Sequence, residues 1–344
     1  MKRKNLLSLL LISMSALTVA CSNAPATTTN EPTTTPTTSV EEKRKQIILD
    51  NTFQRGFSMS PANGSQMDTG WFPENRWPMS VDLTYGDNNE DPLWLGAQHG
   101  DIYGLNDIYN KTTGTKPTYE NGYYTFKDPS KELSVNPEKG ALYMEVNTSK
   151  EYTRPRNNQE QWCHLLIEQG FAEPVHVSEA SRIQLTADLE MKKLEKHMSD
   201  SEFNASNHTV QFLMYLVIKS EAALDANDFF WFGISFYDYR YPNGIIEGGM
   251  VDAGGAGATS KFIYHMPGYD LLPNGLPLNE KQSVDIDLKS YIGSALVLAN
   301  TKFGKFTNST INDLTFQSMN IGFEIPGTFD CGIELSNFGI YVEK

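Results

Sequence analysis

Two glutamates stand among aromatic residues in segments where apolar and polar side chains alternate. Glu168 ends the run that begins at Trp162, and Glu324 lies in the run from Met319 to Ile325. Glycosidases use two carboxyl groups across a cleft, about 5–5.5 Å apart in retaining enzymes and about 6.5–9.5 Å apart in inverting ones. Glu168 and Glu324 are therefore the candidate catalytic residues. Asp238 is held in reserve, in case the strand parity shifts near it.

Flat aromatic side chains surround these carboxyl groups if each run forms a strand. Successive strand residues point to opposite faces, so one face of each strand is left for a ligand. Sugars are bound by aromatic rings beneath their C–H faces and by carboxylate, amide and guanidinium groups that pair with their hydroxyls. The candidate ligand-binding residues on these second faces are Trp162, His164, Gln211, Tyr215, Trp231, Tyr237, Tyr239 and Arg240.

Each of these residues also has a structural interpretation. Trp162 and Trp231 are as well suited to lie buried beneath the long, turn-rich Gly56–Asn136 region as to touch a ligand. A histidine on a strand is more often structural, which applies to His164.

Glu168 needs a partner if it faces a covering layer, because a buried charge is costly when it is unpaired. Arg240 or Arg182 would supply that partner and make Glu168 structural.

Other enzyme classes have weaker support. There is no Gly-x-Ser-x-Gly motif, which disfavours an α/β-hydrolase. The close-set acidic signature of laminarinase-type glycosidases is also absent. A polysaccharide lyase needs a Tyr or His base and a group that neutralises the uronate. The residues available for such a lyase are His164, Tyr215 and Arg240.

No motif indicates a metal or nucleotide cofactor. The six histidines and three cysteines form no CxxC, HxH or HExxH spacing. The Gly254–Gly257 run is not followed by the Lys-Ser/Thr of a phosphate loop. The acidic turn Asp87–Asp91 has the oxygen ligands that Ca²⁺ takes, although a solvated loop is the simpler interpretation.

The N-terminus indicates export. Lys2, Arg3 and Lys4 precede a short apolar run that ends at Ala20, followed by Cys21. This arrangement resembles a bacterial lipoprotein signal, which implies lipidation at Cys21 and a membrane anchor. The next 19 residues hold eight Thr and three Pro, a composition typical of a disordered tether.

The chain divides on this basis into a signal peptide (1–20), a tether (21–40) and a single domain (41–344). In an exported domain Cys163 and Cys331 are equally able to form a disulfide or to act as small buried residues. With 344 residues, a net charge of −14 and a pI of about 4.9, the chain suits neither wholesale disorder nor nucleic-acid binding.

Alternation with a period of two predicts most of the domain. It is clearest in 142–146, 183–189, 210–218 and 284–288. A parity change at Ser336-Asn337 predicts a β-bulge. Helical periods support one short helix over Ser290–Thr301, with Ile292, Ala295, Leu296 and Ala299 on one face, and a second over Glu41–Leu49. We therefore expect an all-β fold, an antiparallel jelly-roll-like β-sandwich with long N-terminal loops and one or two short helices.

The domain resembles the β-sandwich domains of bacterial carbohydrate-active proteins. The resemblance rests on Trp162–Glu168, on Trp231-Phe232-Gly233 through Arg240, and on Gly322-Phe323-Glu324 through Val342. It implies a tethered lipoprotein that binds polysaccharide or oligosaccharide in an aromatic groove. The alternatives are a glycoside hydrolase or lyase on the same scaffold, and a structural or adhesive envelope protein without a sugar site.

Overall fold

The computed structural model describes residues 44–62, 80–87, 90–157, 160–226, 228–253 and 258–344. They belong to one compact unit that spans 40–344. The predicted signal peptide, the predicted tether and Cys21 lie outside the described residues, as does Gly254–Gly257. Among the described helices, none combines the length and the apolar character needed to cross a membrane.

The described residues form strands and three α-helices. The strands are β1 (Arg44–Gln46), β2 (Phe57–Met59), β3 (Val81–Leu83), β4 (Trp94–Ala97), β5 (Thr118–Glu120), β6 (Tyr123–Lys127), β7 (Lys131–Asn136), β8 (Ala141–Asn147), β9 (Cys163–His176), β10 (Arg182–Lys196), β11 (Gln211–Ser220), β12 (Phe229–Asp238), β13 (Gly248–Val251), β14 (Phe262–His265), β15 (Lys281–Asp287), β16 (Leu314–Ile325) and β17 (Phe329–Glu343). The helices are α1 (Leu105–Ile108), α2 (Gly268–Leu271) and α3 (Lys289–Phe303).

These strands form two sheets that pack into a sandwich. The eight-stranded sheet has the order β15-β10-β17-β8-β7-β6-β5, with β1 paired to β17. The nine-stranded sheet has the order β13-β14-β12-β11-β16-β9-β4-β2-β3. Strand pairs are antiparallel in the described residues except β2–β4 and β12–β14. The predicted fold class, an antiparallel jelly-roll-like β-sandwich, is confirmed.

The alternation of apolar residues gives each long strand one buried face. Cys163, Leu165 and Ile167 of β9 are buried between the sheets, as are Ile183 and Leu185 of β10. Burial of a Leu or Ile side chain contributes about 1.5–3 kcal/mol, so the two inner faces hold the sheets together. The other face of each strand is left for different contacts.

Two local predictions are confirmed. Helix α3 buries the predicted face, which consists of Ile292, Ala295, Leu296 and Ala299. The pairing of β10 with β17 shifts register between the pairs Thr186–Gly339 and Asp188–Ser336, which is the predicted bulge. Asn337, at that bulge, has a φ of 49°.

The predicted helix over Glu41–Leu49 is wrong. Its described part, 44–49, contains no helix, and Arg44–Gln46 form strand β1, which pairs with Tyr341–Glu343 of β17. A helix of that length is marginal in water, whereas an extended segment here gains the hydrogen bonds of a sheet edge.

The Gly56–Asn136 region has few periods in its sequence, yet it supplies β2 to β7. Strands β2, β3 and β4 join the nine-stranded sheet and β5, β6 and β7 join the other. These strands are mostly three to six residues long, too short for an alternation to stand out.

Cys163 and Cys331 are both free thiols and both fully buried. Of the two interpretations that the sequence allowed, the structure therefore supports two small buried residues.

Lys131 of β7 is buried and forms ion pairs that connect the loop after β4 to the rest of the sandwich. Lys131 Nζ lies 3.2, 3.4 and 3.5 Å from carboxylate oxygens of Asp101, Asp128 and Glu151, and all four side chains are almost fully buried. Burial raises the pKa of Asp101 to about 7, an effect that the charge of Lys131 opposes. Asp101 also lies beside Cys163, so the cluster supports the start of β9.

We predict that Lys131→Met destabilises the domain strongly, because it leaves three buried carboxyl groups without their cation. The expected loss in the free energy of unfolding is about 3–5 kcal/mol, measured by urea denaturation at pH 7. Lys127→Met is the matched control, since Lys127 is largely exposed and pairs only with Glu132. Its expected effect is within about 0.5 kcal/mol. Equal losses for the two variants would contradict the prediction.

Candidate functional site

The outward-facing residues of β9, β16, β11 and β12 form two rows on the nine-stranded sheet. Cross-strand pairing defines the first row as His164, Glu324, Gln211 and Asp238. It defines the second row as Glu168, Asn320, Tyr215, Gly233 and His265. We call this surface the groove face. It brings together the sequence-predicted residues Glu168, Glu324, His164, Gln211 and Tyr215, and adds Asn320, His265 and Asp238.

The charge of Asp252, which follows β13, acts on this face. It raises the pKa of both Tyr215 and Glu324, in each case adding to the larger effect of burial. Asp252 therefore adds negative charge on the β13 side of the groove face.

Tyr237 does not lie in the groove, contrary to the prediction. A register shift in the β11–β12 pair places Tyr237 opposite Phe212 and Ser235 opposite Leu213, so Phe236 is an extra residue. The bulge reverses the parity of the strand end. Tyr237 consequently lies in the core, and Asp238, the reserve residue, lies on the groove face.

Tyr239 and Arg240 are also placed differently from the prediction. Tyr239 packs against the rings of Phe203 and Phe329, at centroid distances of 5.6 and 4.8 Å. Arg240 donates to Asp238 from Nε at 2.9 Å and from a terminal nitrogen at 2.6 Å. Its guanidinium group is thus engaged by the protein rather than offered to a ligand.

Trp162 stands at one end of the first row. It is 42% exposed and stacks on His164, with ring centroids 6.3 Å apart and planes 14° apart. The backbone of Trp162 is held by close approach of Gly100, where a Cβ atom would lie 2.0 Å from the Trp162 carbonyl oxygen. The interpretation of Trp162 as a residue buried beneath the N-terminal region is therefore wrong.

The tautomer of His164 follows from its contacts. Its Nδ1 lies 2.9 Å from the carbonyl oxygen of Trp162 and 3.2 Å from that of His99. Carbonyl oxygens only accept, so Nδ1 carries the hydrogen. The Nε2 atom is then the acceptor in the neutral ring, and His164 lies directly opposite Glu324.

Trp231 lies half-buried at the β12 side of the groove. Its ring meets those of Tyr215 and Phe229 edge to face, at centroid distances of 5.8 and 5.3 Å. Gly233 leaves space between Tyr215 and His265, because a Cβ there would lie 2.8 and 2.9 Å from their side chains. An aromatic cluster therefore borders the second row.

Its surroundings alter the titration of Glu324. Burial raises its pKa above the usual value, His164 opposes the increase, and the charge of Asp252 adds to it. A raised pKa favours the protonated carboxyl group, which is able to donate a hydrogen bond or a proton. Glu324 is thus suited to hold a ligand oxygen.

Two buried polar atoms in the second row have no hydrogen-bond partner among the described residues. They are Asn320 Oδ1 and His265 Nδ1. Burial lowers the pKa of His265 to about 4, so its ring is neutral. Unsatisfied buried groups cost about 1–3 kcal/mol each, and a ligand that pairs with them recovers this energy.

Glu168 does not form a close pair with Glu324. Glu168 pairs with Asn320, which precedes Glu324 by four residues. The two α-carbons are thus separated by about 13 Å along the strand and about 4.8 Å across it. The two predicted arginine partners are also engaged elsewhere, since Arg240 binds Asp238 and Arg182 binds Asp285 of the other sheet.

Gln211 fills the position directly beside Glu324 on β11. Its Nε2 donates to Asp238 Oδ2 at 2.9 Å. Asp238 also accepts from Thr209 Oγ1 at 2.8 Å and from Arg240, so this carboxylate is saturated and its charge is balanced. The interaction fixes the amide, and Gln211 Oε1 is the atom left for other partners.

The acidic turn Asp87–Asp91 is only partly described, because Asn88 and Asn89 lie outside the described residues. Glu90 is 3.3 Å from Arg55 Nε, and the Asp91 carbonyl accepts from the same nitrogen. Two other clusters have metal-like spacing, namely Asp101–Glu151–Cys163 and Glu195–His197–Asp330. The first already holds the ammonium group of Lys131, and in the second His197 is 3.1 Å from Asp330.

Comparison with known proteins gave structural likenesses only. No family model and no curated protein matches the chain. A family 12 xyloglucanase from Bacillus licheniformis is 15% identical, with a TM-score of 0.36 over 67% of this chain and 97% of that one. An endoglucanase from Rhodothermus marinus is 12% identical, with a TM-score of 0.35 over 65% and 92%. The family 11 xylanase from Neocallimastix patriciarum is 10% identical, with a TM-score of 0.32 over 67% and 96%. Identities and TM-scores this low carry no argument about function. The function is therefore inferred from the geometry of the groove face.

We predict that Glu324→Gln stabilises the domain more at pH 8 than at pH 4. The folded-state pKa of Glu324 lies above its usual value of 4.5, so folding favours the protonated form. Its contribution to stability is complete below about pH 4.5 and is lost as the pH rises through the folded pKa. The melting temperatures of both proteins at the two pH values measure this difference.

Glu173→Gln is the control, because Glu173 is exposed. A difference between the Glu324 variant and the unmodified protein that stays the same at both pH values would contradict the prediction.

Proposed function

We propose that this chain binds a polysaccharide or oligosaccharide in the groove of the nine-stranded sheet. The observation that carries the proposal is that two indole rings flank the polar rows of one face. Trp162 stacks on His164 and Trp231 packs against Tyr215, and the side chains between them include Glu324, Gln211 and Asn320. The indole rings provide flat surfaces for sugar C–H groups, and the polar side chains between them pair with hydroxyls.

The charges in the groove favour a neutral glycan. Glu168, Glu324 and Asp252 bring carboxyl groups to it, whereas Arg240 is paired with Asp238. Lys261, next to β14, is paired with Asp228 at 2.6 Å. A uronate or sulfated polymer would meet these carboxyl groups, and the net charge of −14 adds to the repulsion.

Binding has better support than hydrolysis by a retaining mechanism. Glu168 and Glu324 are too far apart at their α-carbons to form the 5–5.5 Å pair of a retaining glycosidase without large side-chain displacement. Asp238 is saturated by its own hydrogen bonds. One observation favours the hydrolase alternative, which is the raised pKa of Glu324. The envelope-protein alternative has no comparable support, because it leaves Asn320 Oδ1 and the exposed Trp162 unexplained.

We further propose that the protein is exported and anchored to a bacterial membrane by a lipid on Cys21. The support is the basic and apolar segment before Ala20-Cys21 and the Thr- and Pro-rich segment after it. Such a segment of 19 residues reaches about 25–60 Å, which would hold the groove clear of the membrane surface.

We predict that the purified protein is retained by a neutral polysaccharide and that Trp162→Ala weakens this binding about 10-fold. The loss corresponds to about 1.4 kcal/mol, because an exposed ring that stacks on a sugar is removed. Affinity electrophoresis or calorimetry on a panel of plant, algal and bacterial polysaccharides measures binding, and assays for reducing ends and unsaturated products measure turnover. Tyr119→Ala is the control, since Tyr119 is 61% exposed on β5 of the other sheet.

Retention without products supports a binding protein, and products from the unmodified protein support the hydrolase or lyase. Failure to bind across the panel would exclude the glycan proposal.

We predict that Cys21→Ala moves the protein from the membrane fraction to the soluble fraction, because the lipid-bearing thiol is lost. Fractionation of cells that express the protein, with radiolabelled palmitate to detect acylation, measures the change. Cys163→Ala is the control, since this thiol is buried in the core. Membrane association of the Cys21 variant equal to that of the unmodified protein would contradict the anchor.

A further inference from the structure

Position 211 is the neighbour of Glu324 across the β11–β16 pair. Side chains directly opposite each other on antiparallel strands have Cβ atoms about 4.5–5.5 Å apart. Retaining glycosidases hold their two carboxyl groups about 5–5.5 Å apart. A carboxylate at position 211 would therefore complete a retaining pair with Glu324, on the floor of the groove.

The protein has an amide at this position. A glutamine side chain is neutral and a poor nucleophile, and the Nε2 atom of Gln211 is committed to Asp238. Asp238 cannot replace it, because Thr209, Gln211 and Arg240 all donate to its two oxygens and it is 2% exposed. Glu168 lies in the other row. The described first row thus contains one available carboxyl group.

We propose that Gln211 is the residue that makes this groove a binding site rather than a hydrolytic one. This inference rests on the proposed glycan binding. The groove retains Glu324, whose raised pKa favours the proton-donating form, but the side chain opposite it, which would attack the sugar, is an amide.

A carboxylate at position 211 would act together with Glu324 in two displacements. The carboxylate of Gln211→Glu attacks the anomeric carbon, the glycosidic C–O bond breaks, and its electron pair stays on the leaving oxygen, which takes the proton of Glu324. Water then gives a proton to the Glu324 carboxylate and attacks the same carbon, which breaks the glycosyl ester and releases the new carboxylate. Each step conserves charge, and two displacements retain the anomeric configuration.

The experiment compares the unmodified full chain with Gln211→Glu and Gln211→Glu/Asp238→Asn. The second variant replaces the neighbouring acceptor by an amide donor, so the new carboxylate is not held against another carboxylate. Tyr119→Glu is the matched control, because it makes the same change of charge at an exposed position on β5 of the other sheet. The ligand is the polysaccharide that binds the unmodified protein, and thermal melting and calorimetry confirm folding and binding of every variant.

We expect at least one Gln211 variant to release reducing ends at least about 100-fold faster than the unmodified protein, with retained configuration by NMR. Addition of Glu324→Gln to that variant should lower the rate about 10²–10⁴-fold. Tyr119→Glu should stay at the background rate. Turnover by the unmodified protein, or folded and binding-competent Gln211 variants that both lack turnover, would overturn the inference. If no form binds a glycan, the proposed function itself fails.

Discussion

The antiparallel register of β9, β16, β11 and β12 is the constraint on which the groove depends. It places residues from four distant segments at neighbouring positions, so that Glu324 meets His164 on one side and Gln211 on the other. Because side chains alternate between faces, a shift of one residue would exchange this row with the buried row on the same strands. The core residues Cys163, Leu165 and Ile167 therefore fix the groove as well as the fold.

The described residues include two groups of buried charges whose partners offset them, and both groups lie beside strands of the groove face. Lys131 joins Asp101, Asp128 and Glu151, next to the start of β9. Removal of one partner from such a cluster costs much more than the cluster contributes to stability, so the groups persist together. On the groove face the Asp238–Arg240 pair has a comparable role, since it orients Gln211 and removes one carboxylate from the ligand's surroundings.

The groove thus combines apolar surface with polar groups. Trp162 and Trp231 provide flat apolar rings, and Asn320 Oδ1 and His265 Nδ1 have no hydrogen-bond partner among the described residues. Glu324 stands among them with a proton that it holds more tightly than an exposed glutamate does. The proposed neutral, hydroxyl-rich ligand would meet all of these groups at once, whereas a polyanion would meet the carboxyl groups of this face.

Local patterns in the sequence determined the alternating strands, the face of helix α3, the bulge near Asn337 and the membership of Trp162, His164, Glu168 and Glu324 in one surface. These features follow from periods of two and 3.6 residues, which each segment carries by itself. Tertiary structure decided the rest. The bulge at Phe236 exchanged the faces on which Tyr237 and Asp238 lie. Arg44–Gln46 paired with β17 as a strand. The register of β11 and β16 placed Gln211, rather than Glu168, beside Glu324. Register and bulges depend on which strands meet and on how their side chains pack, and this information is not contained in any single segment.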